Sequence, residues 1–570
     1  MKKSLLLLSM AAMVAGVSAQ QPKEPQFLGG LAIQNVSPNG KWAASEADGV
    51  VVLINTETGA TTEFIGDGYT EYFNLGLGNA LSNDGVLCAA QDVDGNGSYY
   101  DGEWKYLPTP EGSKSANAHS ITPDGSRICG NLGLHEMTYD DVTMVVPAVW
   151  ERQADGTYGE CVVLPHPSLD LFGRAPQYIT AICISDDGRT VVGQIQDCRG
   201  MYLYPIVYKQ AADGEWSYSL PTEALFNPNH VEVPVWPGES PDCPAATSYM
   251  TEEKKAEYEA AVQAWLAAGD YSQPYPQDTD YLTEEQLAEY NAAMAEYQAV
   301  MEVWEEQSSN YYITYQEIVD ASPNFQFNQV GLSADGSKFG MTVVTTVEDP
   351  MAWMGWSEVN HVWIINADGE EIVKYEDKEL SVKAWVGDYL TAVEVDEMTN
   401  AFNGYLLKDG VTTSLYDFLC AKGDDIKEWV DLNMTHEVEV YDYENDQLVY
   451  ESVMATGLPI ASRDWDVVAS WTYVSWESEY YVESYLFDFR NQGGIGSVAM
   501  DKKEQVRFDA DGNLSVGDGV VSVAVYDLSG VCVKSVSNPS SSVALDAANG
   551  VYIVKAVYAD GSESVVKAVK

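Results

Sequence analysis

Ala181-Ile-Cys-Ile-Ser-Asp-Asp-Gly-Arg-Thr-Val-Val-Gly193 is an apolar strand, a tight Ser-x-Asp-Gly turn, and a second apolar strand ending on a small residue. Glycine suits the turn position where φ becomes positive, and Asp or Asn accepts a bond from the turn's own backbone. The same phrase recurs as Ser37-Pro-Asn-Gly40, Ser82-Asn-Asp-Gly85, Thr122-Pro-Asp-Gly125 and Ser333-Ala-Asp-Gly336. Small residues close the second strand at Ala43-Ala44, Ala89-Ala90, Gly130, Gly193 and Gly340. Weaker copies begin at Val382-Lys-Ala-Trp-Val-Gly-Asp388 and Leu458-Pro-Ile-Ala-Ser-Arg-Asp464.

Each repeat has a second half: a variable loop, a strand, an Asp-Gly turn and a last strand. Examples are Pro147-Ala-Val-Trp-Glu-Arg-Gln-Ala-Asp-Gly156 and His361-Val-Trp-Ile-Ile-Asn-Ala-Asp-Gly369. Four short antiparallel strands repeated at roughly 40–45 residues specify a β-propeller. The expected fold is mainly β, with the propeller over residues 20–495. The count is seven blades, with six as the alternative because the last two copies are weak. These phrases resemble the HAF-type extracellular repeats and, more loosely, WD-like and TolB-type propeller repeats. The resemblance covers about residues 26–490 and implies a fold without an activity.

Residues 250–308 interrupt the repeats with a different composition. Thr251–Ala268 and Thr283–Gln307 are rich in Glu, Ala, Gln and Tyr, and Thr283-Glu-Glu-Gln286 is a capping box. Leu287, Tyr290, Met294, Tyr297, Met301 and Trp304 form one apolar stripe at helical spacing. Pro274 and Pro276 separate the two segments, so a helical hairpin is expected. Residues 496–570 alternate short Val-rich strands with turns and read as a small immunoglobulin-like β-sandwich. There Val525-Tyr-Asp-Leu-Ser-Gly530, Gly550-Val-Tyr-Ile-Val554 and the basic end Lys567…Lys570 resemble the C-terminal sorting domain of type IX secretion. The usual Pro-Asn-Pro opening of that family is absent near Val506–Asn513. The resemblance implies secretion machinery as a partner and arrival at the cell surface or medium.

Residues 1–19 fit a secretion signal: Lys2-Lys3, an apolar run from Leu5 to Val17, and small residues before a cleavage point between Ala19 and Gln20. The expected location is therefore outside the cell or on its surface, periplasmic in transit, with no transmembrane segment. The formal net charge of −57 opposes nucleic acid and anionic lipid partners. Eight cysteines in 570 residues do not make a disulfide scaffold.

Asp92-Val-Asp-Gly-Asn-Gly-Ser-Tyr-Tyr-Asp-Gly-Glu103 has EF-hand spacing, yet strands rather than helices flank it, and Asp101-Gly102 matches the turns of other repeats. A partial calcium loop from Asp92, Asp94 and Asn96 is the metal expectation. No Gly-x-Ser-x-Gly, His-Glu-x-x-His or phosphate-cradling loop occurs, and the six histidines have no ligand spacing. In a four-stranded blade the short Asp-Gly turns share one face and the long loops share the other. Loops gathered on one face mark a binding face. Its aromatic candidates are Trp353, Trp356, Tyr139, Trp476 and Tyr480. The expected function is a non-enzymatic binding protein for a glycan or peptide. The alternatives are a hydrolase or lyase with its site in the propeller mouth, or a structural surface protein. Deleting Val506–Lys570 should hold the protein in the periplasm, measured by fractionating cells that express the truncated chain; unchanged arrival at the surface would overturn the sorting expectation.

Overall fold

The computed structural model describes residues 25–490 except 30, 48–49, 66–77, 90–94, 137–141, 270, 350–354, 370, 397–400, 443–446 and 477–478. Beyond 490 it describes 506–508, 513–516, 520–526, 532–539, 542–545, 551–558 and 563–569. The chain divides into two compact units, Ala224–Pro323 and the remainder.

The larger unit is a succession of antiparallel four-strand groups, each paired in chain order. The first comprises Ile33–Val36, Trp42–Ala47, Val50–Asn55 and Thr61–Ile65. In the next, Leu81 bridges Leu87–Ala89, which pairs Ser98–Tyr100 and then Trp104–Tyr106. Two groups follow, opening with Ser115–Ile121 and Tyr178–Ile184; a lone parallel pairing of Val145 with Tyr178 links them into one sheet. After the smaller unit come groups opening with Asn324–Leu332 and Ser381–Val386. The last is Leu458–Ala461, Val467–Trp476 and Glu479–Asp488, and its fourth strand is the N-terminal Gln26–Gly29. A β-propeller built this way has its two chain ends fastened in one sheet, so opening either end breaks a complete ladder.

The quoted turn explains why the phrase repeats. In the copy at Ser185 the hydroxyl donates to Asp187 Oδ1 at 2.7 Å and accepts the Thr190 N–H at 2.9 Å. The same pair of bonds is made by Ser37, Ser82, Thr122, Ser333 and Ser462. All six hydroxyl residues are buried. The turn glycine is left-handed, with Gly188 at φ 69°. In the weak copy at Ser462 that place is taken by Trp465 at φ 60°, whose ring is buried among Tyr389 and Phe418. The other weak copy is a tighter hairpin, Val386 pairing Tyr389 across Gly387.

The small residue, expected to close the second strand, lies within it, Gly193 inside Thr190–Gln196 and Gly130 inside Arg127–Gly133, and it has a different cause. The innermost strand carries one extra residue opposite it, a β-bulge that pushes a carbonyl across the ladder. A Cβ at Gly193 would overlap the Thr180 carbonyl oxygen, and one at Gly130 the Asn117 carbonyl oxygen. Cys88 and Cys129 sit fully buried on second strands of successive groups, where burial pushes both thiols far up, Cys88 to about 12.

In the smaller unit, helix Glu252–Ala268 is capped by Thr251 and ends at left-handed Gly269. Helix Glu284–Ala321 opens on the capping box of Thr283 and Gln286. It runs past the expected end at Gln307, because Tyr311, Tyr315, Ile318 and Val319 continue the apolar spacing and are buried. Part of the stripe is covered by the extended chain ahead of the first helix. Trp236 packs edge-on against Trp304 and Tyr311, and Trp304 Nε1 donates to the Gly238 carbonyl.

The C-terminal strands form two sheets, Val506–Phe508 with Asn513–Val516 and Ser542–Ala544, and Cys532–Ser537 with Val520–Tyr526, Val551–Tyr558 and Glu563–Val569. Leu514, Val523, Val525, Val543 and Val554 share one apolar cluster drawn from both sheets. Two helices, Leu415–Cys420 and Asp424–Asn433, and a hairpin, Thr435–Asp442 with Gln447–Met454, precede the last group and were not expected. No helix among the described residues is long and apolar enough to cross a membrane.

Gly193→Ala should lower the unfolding free energy by about 3 kcal/mol through overpacking. Ser185→Ala should lower it by about 1–3 kcal/mol, since the buried Thr190 N–H loses its acceptor. The exposed strand-edge control Ser219→Ala should stay within about 0.5 kcal/mol. Urea denaturation of the three variants measures this order.

Candidate functional site

The innermost strands of the larger unit surround a cavity of about 940 Å³. Five of them carry a bulge in the same place along the strand. The extra residue is Gln34 between Ile33 and Asn35, His119 between Ala118 and Ser120, Ile182 between Ala181 and Cys183, and Lys383 between Val382 and Ala384. In Asn324–Leu332 the irregularity is longer, between Phe325 and Val330, with Asn328 at φ 63°. A bulge re-aims side chains out of the pleat. Gln34, His119, Asn328, Gln329 and Lys383 all line the cavity. Between them lie the amides Asn35, Asn79 and Asn117 and the aromatic Trp385, Trp471 and Phe402.

Several polar side chains hold one group to the next. Asn35 Oδ1 accepts the Ala80 N–H at 2.9 Å, Asn131 Oδ1 accepts the Ala181 N–H at 2.8 Å, and Thr342 Oγ1 accepts the Val382 N–H at 2.8 Å. Gln194 spans to the following group twice, donating to the Gln326 carbonyl and accepting from the Asn328 N–H. With Asn131 Oδ1 committed to Ala181, its Nδ2 faces His119 Nε2 at 2.8 Å. His119 therefore accepts at Nε2 and carries its proton on Nδ1. Burial lowers its pKa to about 4, so the ring is neutral at physiological pH. The Nδ1–H is buried without an acceptor.

The x residues of the Ser-x-Asp-Gly turns line the cavity where those turns gather: Pro38, Pro123, Asp186, Ala334 and Arg463. Neighbouring turns are bonded through them. Asn83 N–H donates to the Pro123 carbonyl, Asp186 N–H to the Ala334 carbonyl, and Arg463 N–H to the Pro38 carbonyl. The Arg463 guanidinium forms an ion pair with the Asp186 carboxylate, joining the group that opens with Tyr178–Ile184 to the one that opens with Leu458–Ala461. Burial raises the Asp186 pKa, and Arg463 acts against that rise.

Lys383 has a different environment. Its side chain is exposed to the cavity space while protein surrounds it, and this enclosure lowers the ammonium pKa. Among the described residues it has no ion pair and no hydrogen bond. Glu46 is a further acid of the wall.

The sequence-derived candidates are not brought together here. Trp353, Tyr139, Asp92, Asp94, Ala19 and Gln20 lie outside the described residues. Trp356, expected on a loop, begins strand Trp356–Asn366, because the hairpin it belongs to is longer than expected, and it is exposed. Trp476 and Tyr480 likewise stand on paired strands, Trp476 opposite Glu479 and Tyr480 opposite Ser475. Asn96 is half-buried. Glu103, the twelfth position of the calcium spacing, is exposed at 3.5 Å from Lys105, which also pairs with Asp101. Asp170, Asp197 and Cys198 lie close together, but both carboxylates accept backbone N–H groups of their own loops, Asp170 from Phe172 and Arg174 and Asp197 from Met201 and Tyr202.

No protein-family model matches the chain, and no curated protein matches it. Among solved structures it is similar to the polysaccharide lyase Uly1, at 9% identity and TM-score 0.38, over 85% of this chain and 95% of that one. It is also similar to the periplasmic gluconolactonase of Pseudomonas aeruginosa, at 10% identity and TM-score 0.28, over 90% and 97%. A third is the β-propeller domain of the Trilobed protease from Pyrococcus furiosus, at 7% identity and TM-score 0.29, over 96% and 94%. Scores and identities this low transfer no activity to this chain.

Arg463→Met should raise the Asp186 pKa further. A raised carboxyl pKa means the folded chain keeps its proton to higher pH than the unfolded chain, so stability falls as pH rises above the ordinary value of 3.8. The stability gap between Arg463→Met and the unaltered protein should therefore widen between about pH 4 and 7. Adding Asp186→Asn should remove that slope. Urea midpoints across the pH range measure both.

Proposed function

We propose that this chain is an exported, non-enzymatic β-propeller binding protein whose ligand, a glycan or peptide, is held in the central cavity. Counting each four-strand group as a blade gives seven, with residues 20–495 as the propeller and the insertion as a separate helical unit. The observation that carries the reading is the cavity wall. Bulges turn amide side chains into a space of about 940 Å³ that tryptophans also line. Amides supply paired donors and acceptors, and tryptophan supplies a flat apolar surface, the combination that recognises sugars and backbone amides. The one wall histidine is neutral and bonded to Asn131, so it is not paired with a nucleophile. Delivery to the surface or medium through the C-terminal sandwich, read as a sorting domain, is part of the same proposal.

The lyase alternative has one observation in its favour: the lowered Lys383 pKa, which a proton-abstracting amine needs. A glycan and peptide array on the mature protein, run beside a hydrolysis and elimination screen, separates the two. Binding without turnover is the expected outcome. Turnover abolished by Lys383→Met would overturn it in favour of the enzyme.

A further inference from the structure

The bulges place one unmatched charge inside the cavity. Lys383 is the extra residue of its strand, so its side chain leaves the ladder and enters the enclosed space. Of the other charges on the wall, Arg463 is matched by Asp186, and Glu46 lies on the second strand of the first group. The remaining bulge residues on the wall are Gln34, His119, Asn328 and Gln329, and none of them is charged, His119 being neutral. An enclosed ammonium without an ion pair calls for a ligand that carries an anionic oxygen.

We propose that these bulge residues are the recognition ring of the cavity, and that Lys383 binds the carboxylate of an acidic sugar. This rests on reading the cavity as the ligand site. An acidic glycan matches the wall group by group. Its carboxylate meets the ammonium in a charge-assisted bond, its hydroxyls meet the amides of Gln34, Asn328 and Gln329, and its C–H faces meet Trp385 and Trp471. A neutral sugar would leave Lys383 enclosed and unpaired. The chain's net charge of −57 does not forbid the anion. Screening limits exposed charges to about 8 Å at physiological salt, so the groups lining the cavity decide the local interaction.

The test is calorimetric titration of the mature chain with oligogalacturonates and oligoalginates, each beside its carboxyl-reduced neutral counterpart. The unaltered protein should prefer the acid by about 10-fold or more. Lys383→Met should erase the preference while leaving neutral-sugar affinity within about 2-fold, and Lys383→Arg should retain most of it. Equal affinity for acid and neutral sugars in the unaltered protein overturns the charge assignment and leaves the binding function standing; this comparison needs no variant to fold. Binding of an acidic peptide but no sugar, lost in Lys383→Met, overturns the sugar class. Absence of all binding overturns both this inference and the binding function.

Discussion

A single hydroxyl, donating to an aspartate or asparagine and accepting a backbone N–H four or five residues on, is the interaction on which the larger unit depends. At Ser185 it closes the turn between the innermost strand and its neighbour, and the same two bonds recur from Ser37 to Ser462. A buried N–H left without an acceptor costs about 1–3 kcal/mol. Repeated through the larger unit, that cost makes the turn a fixed corner. The corner in turn fixes which x residue faces its neighbour. Asp186 reaches the Ala334 carbonyl and Arg463 the Pro38 carbonyl through their backbones, and their side chains meet as an ion pair.

The bulges are the second constraint, and they act against regular pairing. An extra residue on the innermost strand disturbs a ladder, and it is accommodated because the facing strand offers glycine or alanine there, as at Gly193 and Ala44. What the disturbance supplies is direction. Without the bulge at Lys383, alternation would set the residues that follow it on the opposite faces of the pleat. The feature that loosens the sheet is therefore the one that equips the cavity.

The repeated turn was legible in the sequence because all its partners lie within five residues, so the chemistry is written next to itself. The small residues were legible as a pattern, but their cause was not, since at Gly130 and Gly193 it lies in a carbonyl of the facing strand and at Gly340 in the Leu390 side chain. The capping box at Thr283 is equally local, whereas the helix end is set by burial of Tyr315 and Ile318, whose apolar spacing continues beyond Gln307. Lys383 is marked in the sequence as a lone cation within the apolar run Val382-Lys-Ala-Trp-Val386.

The sequence by itself therefore determined the turn, its period and the four-strand unit, because these rest on hydrogen bonds and side-chain alternation over a few residues. The tertiary structure alone decided that Gln26–Gly29 completes the sheet of Glu479–Asp488, that Asp186 meets Arg463, and that Gln34, His119 and Lys383 line one space. Those partners stand from tens to hundreds of residues apart. Only closing the repeats on one another brings them together, and no local preference in the chain encodes that distance.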